Sequence, residues 1–255
     1  MSGIVTRFAP APTGFLHLGH VRNALCVWTY ARTHNGRVLL RIEDHDRQRS
    51  RQDFETAILE DLDWLGFVPD ERVPRQSERG DAYTRVLGDF LRRGLVYGCT
   101  CTRADVGGAP YANTCRDRGI PIGLDVNLRI RIEPGVETFT DLLCGPQSQS
   151  PAEQCGDLMI RDRLGNWTYQ WAATIDDFLQ GVTHVIRGMD LIDSTGRQMR
   201  LARMAGRERP ATFMHHPLIM KSATQKLSKS DGDTGIRDLR ARGLTPSDVL
   251  GMAAL

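Results

Sequence analysis

The stretch RFAPAPTGFLHLGHVRNAL, Arg7 to Leu25, decides the fold. Pro10 and Pro12, a Thr-Gly step and then His17, Gly19 and His20 crowd together near the start of the chain. A short apolar run (Ile4, Val5, Phe8) precedes them, and apolar residues at helical spacing (Val21, Ala24, Leu25, Trp28, Ala31) follow, so the stretch bridges a strand and a helix. Thr13 and Gly14 let the backbone approach a ligand closely. The helix behind them offers free N–H groups and the positive end of its dipole to an anion. His17 and His20 then donate hydrogen bonds to phosphate oxygens. A proline-rich turn with two surface histidines is the plain alternative, and a second element downstream is needed to decide between them.

Outward from this loop the chain alternates strand and helix. RVLLRIED (37–44) is a strand with a continuous apolar run, as when both faces are covered. QDFETAILEDLDWLG (52–66) puts Phe54, Ile58, Leu62 and Leu65 on one helical face, and DAYTRVLGDFLRRGL (81–95) spaces Tyr83, Leu87 and Leu91 by four. Gly66 and Gly94 close these helices. The rhythm predicts a parallel sheet wrapped by helices. From Tyr97 to Trp167 the texture changes to cysteines, glycines and the alternating NLRIRIE (127–133). There Leu128, Ile130 and Ile132 face one way and Arg129 and Arg131 the other, which predicts a half-exposed antiparallel strand in an inserted domain. The α/β texture returns with GVTHVIRGMDL (181–191), a helix with Met199 and Met204 on its buried side, and the apolar strand HHPLIM (215–220).

The chain has 255 residues, 40% of them hydrophobic and 25% charged, enough to bury a substantial core. No apolar run approaches the roughly 20 residues of a membrane span, and MSGIVTRF lacks the features of a signal peptide, so a cytoplasmic location is expected. The net charge of +2 neither demands nor excludes nucleic acid. Of the six cysteines, Cys99, Cys101 and Cys115 cluster in CTCTRADVGGAPYANTC. In a chain without export signals such a cluster suits a metal better than disulfides. Three thiolates fit tetrahedral zinc, with Tyr111, Asp105 and Asp117 as candidates for the fourth ligand; three thiols without metal is the alternative. Arg197, Arg200 and Arg203 form a helical stripe, with Arg207 and Arg209 beyond, that suits either RNA phosphates or a solvated face.

The downstream element is KLSKS, Lys226 to Ser230. Two lysines three residues apart, interleaved with serines, suit the polyphosphate of a nucleotide. Together, HLGH and KLSKS resemble the HIGH and KMSKS signatures of class I aminoacyl-tRNA synthetases. RFAPAPTGFLHLGH, RIED and TYQWAATIDDFLQGVTHVIRG (168–188) resemble the glutamyl branch of that family, over nearly the whole chain. The resemblance implies an α/β fold with a Rossmann-like parallel sheet, interrupted by a smaller zinc-bearing α+β insertion. The expected boundaries are 1–95 and 168–222 for the catalytic domain, 96–167 for an acceptor-end-like insertion, and 223–255 for the lysine loop and the start of a helical stem-contact region, with no anticodon-binding domain.

The same resemblance assigns roles. ATP is held by Thr13, Gly14, His17, Gly19, His20, Lys226 and Lys229, of which His17, His20, Lys226 and Lys229 are catalytic, with Mg²⁺ accompanying ATP. Glutamate is held by Arg7, Ala11, Glu43, Tyr169 and Arg187. Glu43 takes the ammonium group, and the two arginines take the carboxylates, Arg187 on the side chain and Arg7 shared or on the other. Structural Zn²⁺ falls to Cys99, Cys101, Tyr111 and Cys115, because the family carries a Tyr four residues before the last Cys. Ala11 stands where the family commonly has serine, and Ala173 where many relatives have asparagine. Within the branch, the cysteine cluster and short length resemble a tRNA-modifying paralogue. The implied activity is tRNA-independent activation of glutamate and its transfer to the queuosine base of tRNA(Asp) by a monomer. Two rivals are a fragment of a conventional glutamyl enzyme charging the 3′ end of tRNA(Glu), and a catalytically silent RNA-binding module.

Overall fold

A computed structural model describes residues 3–219 and 235–254. Strands β1 (Val5–Phe8), β2 (Arg37–Leu40) and β3 (Glu71–Arg72) pair in parallel in that order. Strands β4 (Val96–Cys99), β5 (Asn127–Ile130) and β8 (Leu158–Arg161) form a separate antiparallel sheet with β5 in the middle. A third group runs β7 (Gly145–Gln149), β6 (Glu137–Asp141), β10 (Thr212–His216), β9 (His184–Gly188), parallel except for the β6–β7 hairpin. The two parallel blocks abut at β1 and β9, where the Thr183 amide donates to the Val5 carbonyl at 2.8 Å. Further along, the Arg7 guanidinium donates to the Ile186 carbonyl at 3.2 Å.

Helix α1 (Leu18–Thr33) follows β1 and α2 (Gln52–Trp64) follows β2. Both pack on the parallel sheet with Phe8, Val38 and Leu40 beneath them. On α1 the buried stripe is Val21, Ala24, Val27, Trp28 and Ala31; Leu25 is only partly buried. Helix α3 (Gly80–Arg92) buries Tyr83, Leu87 and Phe90, and Leu91 is exposed, contrary to the four-residue spacing expected. At 3.6 residues per turn Phe90 lies closer to the axis of that stripe than Leu91 does. Gly66 and Gly94 end α2 and α3 at φ of +78° and +66°, as their positions predicted.

Short helices α4 (Arg103–Val106) and α5 (Pro151–Cys155) belong to the region around the antiparallel sheet. Helix α6 (Tyr169–Leu179) crosses to β9, and α7 (Thr195–Met204) joins β9 to β10 with Met199 buried and Met204 half-buried. Helices α8 (Ile236–Ala241) and α9 (Pro246–Ala254) return to the first core, where Ile236, Val249 and Ala253 pack with α1.

Two further expectations are corrected. The strand read as HHPLIM runs instead from Thr212 to His216 and stops at Pro217, which has no N–H to continue a ladder. NLRIRIE is antiparallel, as expected, but not half-exposed, because Arg129 is buried over the Tyr111 ring at 3.6 Å and donates to the Asp157 carbonyl at 2.7 Å. Within region 96–167, the β6–β7 hairpin joins the parallel sheet through Phe213 and Asp141. The basic stripe on α7 is also engaged, Arg200 and Arg203 both pairing with buried Glu137 while Arg207 donates to the carbonyls of Asp177 and Val182.

Candidate active site

The carboxyl ends of β1 and β9 and the start of α1 border a cleft of about 490 Å³. Its walls carry Arg7, His17, Gly19, His20, Glu43, Tyr169 and Arg187, all named from sequence. Ligands of open α/β sheets bind at this edge, where the strands end and helix N-termini point outward.

The loop into α1 is built by the two histidines. His17 is the N-cap and its Nδ1 accepts from the Gly19 amide at 3.1 Å, while His20 Nδ1 accepts from the His17 amide at 3.1 Å. The rings lie 3.9 Å apart, centroid to centroid. A Cβ at Gly19 would meet the His17 ring at 2.9 Å, so any other residue there must displace that ring. Thr13, Gly14 and Ala11 precede this turn, half-buried, and are not on the cleft wall. Lys226 and Lys229 lie outside the described residues. The flanking Ile219 lines the cleft, and Gly235 bridges to His17.

Glu43 follows β2, and its amide donates to the Pro10 carbonyl at 3.0 Å, extending the β1–β2 pairing to the cleft. Its carboxylate accepts from buried Arg41 at 3.1 Å. Arg7 on β1 is likewise buried and donates to Asp177 at 3.0 Å. Burial would raise the Asp177 carboxyl, but Arg7 and Arg41 outweigh it and hold it low. Asp176 takes Arg79 at 2.5 Å and the Tyr83 hydroxyl at 2.6 Å. Thr168 caps α6, which sets Tyr169 in its first turn at the cleft.

Arg187 differs from these arginines. Its guanidinium is buried and donates to His215 Nε2 at 3.0 Å, Gln198 Oε1 at 2.6 Å, Thr195 Oγ1 at 2.9 Å and the Leu191 carbonyl at 3.2 Å. No carboxylate among the described residues pairs with it, and burial lowers its pKa. A buried cation of this kind, opening on a cleft, is a site for an incoming anion.

Away from the cleft, the sulfurs of Cys99, Cys101 and Cys115 lie within 4.8 Å of one another. Cys101 and Cys115 are 3.5 Å apart, and the Tyr111 hydroxyl is 3.4 Å from Cys99 and 3.8 Å from Cys101. Tetrahedral bonds of about 2.3 Å to sulfur and 2.0 Å to oxygen would place ligand atoms about 3.5 to 3.8 Å apart, so these four fit one small cation. Asp105 instead accepts from Thr102 and Asp117 from Arg131, which leaves Tyr111 as the candidate within the cluster. Gly156, at φ +64°, lets the Tyr111 backbone pass, since a Cβ there would fall 1.9 Å from its carbonyl oxygen. Burial raises the Cys115 thiol, but hydrogen bonds from Tyr111, the Thr100 backbone and the neighbouring cysteines outweigh it and bring it down to about 6.

Sequence reasoning missed the inner layer of the cleft: Asp176 and Asp177 behind Arg7 and Arg41, and Thr195, Gln198 and His215 around Arg187. An acidic pair within the apolar run TIDDFL was the available signal for the first group.

A parallel α/β sheet with a histidine-bearing helix start and a cationic cleft at its carboxyl edge defines a nucleotide-type catalytic domain. Residues 3–108 and 118–253 match the family described as tRNA synthetases class I (E and Q), catalytic domain, and the chain belongs to that family of amino-acid ligases. The unmatched stretch between the two segments contains Tyr111 and Cys115. A glutamyl-Q tRNA(Asp) synthetase of Bordetella bronchiseptica is 43% identical over 89% of this chain and 75% of its own length. Another with that name, from Rhodobacter capsulatus, is 37% identical over 96% and 98%. The crystal structure of a glutamate tRNA ligase from Elizabethkingia meningosepticum in complex with its amino acid superposes with a TM-score of 0.85 at 29% identity, over 100% of this chain and 61% of that one. Among the described residues no helix is long and apolar enough to cross a membrane.

Proposed function

We propose that this protein activates glutamate with ATP, without tRNA, and transfers the glutamyl group to the queuosine base of tRNA(Asp). The observation that carries the amino-acid assignment is Arg187, a buried guanidinium without a carboxylate partner among the described residues, on the wall of a cleft that also holds Glu43 and Arg7. The substrate side-chain carboxylate pairs with Arg187, the ammonium group with Glu43, and Arg7 steadies the other carboxylate. The acceptor assignment rests on the names of the relatives matched over most of their length.

The α-carboxylate of glutamate attacks the α-phosphorus of ATP in line, forming glutamyl adenylate and releasing pyrophosphate. No protein nucleophile is required. The α1 N-terminus with His17 and His20 receives the phosphates, and Lys226 and Lys229 supply positive charge where negative charge develops, with Mg²⁺ entering on ATP. Zn²⁺ on Cys99, Cys101, Tyr111 and Cys115 is structural, cross-linking the loop after β4. Residues 96–167 are assigned to the acceptor-end-like insertion, and α8 and α9 to the start of a stem-contact region.

ATP–pyrophosphate exchange with glutamate, aspartate and glutamine, each without tRNA and then with bulk tRNA, tests this reading. Exchange with glutamate alone is the expected result. Exchange that requires tRNA would instead assign a conventional glutamate–tRNA ligase acting on tRNA(Glu), and none under either condition would leave an RNA-binding module.

A further inference from the structure

Among the described residues the side-chain acceptors His215, Gln198 and Thr195 around the Arg187 guanidinium are neutral, and His215 and Gln198 are themselves held in place. His215 Nδ1 lies 2.6 Å from Asp141, and its Nε2 accepts from Arg187. Gln198 donates to Gln170 Oε1 at 2.9 Å, which leaves Gln198 Oε1 aimed at Arg187. The start of α7, carrying Thr195 and Gln198, is pinned by Gln149 of β7, whose Oε1 accepts from the Gly196 amide at 2.7 Å. Asp141 is fully buried and its carboxylate also accepts from the amides of Leu143, Cys144 and His215, so its charge is engaged on the far side of the imidazole.

This arrangement is unusual because a buried guanidinium ordinarily lies against a carboxylate, as Arg7 and Arg41 do here. A carboxylate at residue 198, at the 2.6 Å separation of the present bond, would cancel the charge of Arg187. The opposite tautomer of His215 would set an N–H against the Arg187 N–H; Asp141 selects the one that accepts.

We propose that Gln198 and His215 are specificity-determining positioning residues: neutral acceptors that orient Arg187 while leaving its charge uncancelled, so that the pocket takes a side-chain carboxylate and rejects a carboxamide. The inference rests on the glutamate-activating reading above. Arg187 touches the substrate; Gln198, His215 and, behind it, Asp141 act through Arg187. A side-chain carboxamide offers no charge to pair with the guanidinium, whereas a carboxylate completes it.

The test is pyrophosphate exchange with glutamate, and with glutamine as substrate or competitor, for the wild type and for Gln198→Glu, Gln198→Met and Asp141→Asn. Gln198→Glu is expected to lower the preference for glutamate over glutamine about 100-fold, chiefly through KM for glutamate. Gln198→Met, which loosens Arg187 without a new charge, should weaken both amino acids alike. An unchanged preference in folded Gln198→Glu overturns the proposal. Should that variant fail to fold, Asp141→Asn decides, with a fall in preference of about 10-fold expected and an unchanged preference overturning it. Wild-type protein that does not exchange with glutamate would sink the functional reading instead.

Discussion

Arg7 and Asp177 stand 170 positions apart in the chain and meet as a buried ion pair at 3.0 Å. Asp177 also holds Arg41 at 2.9 Å, so one carboxylate on α6 ties together β1 and the end of β2 behind the cleft. Asp177→Asn leaves two buried guanidinium groups short of a counter-charge. The expected result is a loss of about 3 kcal/mol in denaturant unfolding and a rise of about 10-fold in KM for glutamate in the exchange assay. Wild-type stability in this variant would show that the pair contributes nothing.

Acid should unfold the protein through a small set of carboxylates. Burial raises Asp177, Asp157 and Asp141, but Arg7 and Arg41, Arg116, and the backbone amides with His215, respectively, outweigh it and hold each low. A carboxyl whose folded pKa is depressed stabilises the protein above its unfolded value, about 3.9, and loses that contribution as pH falls through the folded value. Thermal melts are expected to be nearly flat in their dependence on these groups above about pH 5 and to drop steeply below about pH 4.

Asp61 works in the opposite sense. It is fully buried on α2 with neither carboxylate oxygen hydrogen-bonded among the described residues, and burial pushes its pKa up to about 6 against the pull of Arg237 and Arg240. Because the folded value is raised, ionisation costs stability as pH rises from about 4 through 6. Asp61→Asn should therefore raise stability at pH 7.5 by about 2 kcal/mol, and the gain should vanish near pH 4. Melts of both proteins across this range check it; a gain that persists at pH 4 would point to packing rather than charge.

One Zn²⁺ per chain is expected after purification without added metal. Cys115→Ser should lose stoichiometric metal and lower the melting temperature, while Tyr111→Phe should retain metal with affinity reduced about 10-fold. Metal analysis and chelator competition read both outcomes, and full-length protein that is metal-free yet equally stable would remove the structural role.

At the phosphate end of the cleft, His20→Ala should lower kcat for exchange about 100-fold with KM for glutamate changed less than about 3-fold, since developing charge rather than amino-acid binding is affected. It also removes the Nδ1 acceptor of the His17 amide, so a loss of about 1 kcal/mol in stability is expected beside it.

The parallel α/β layout, the helix after HLGH and the glycine stops at Gly66 and Gly94 were legible along the chain, because each follows from local periodicity or backbone conformation. Arg7, Glu43, Tyr169 and Arg187 were named through the family resemblance, and the fold places all four on the wall of one cleft. What was misread shared one feature. Arg129 looked solvent-facing by alternation, yet Tyr111, Asp157 and Cys99 cover it from other segments. Arg200 and Arg203 form the basic stripe that local spacing shows, but their shared partner Glu137 comes from a distant strand.

Sequence alone determined the strand–loop–helix that opens the chain and the strand that leads to Glu43, since residue type and local spacing set local structure. Only tertiary structure decided which charged groups meet behind the carboxyl edge of the sheet. Whether a guanidinium meets a carboxylate, as Arg7 does at Asp177, or neutral acceptors, as Arg187 does at His215 and Gln198, depends on partners from other elements of the fold. In a buried site, electrostatic energy is governed by through-space distance and desolvation, neither of which sequence separation encodes.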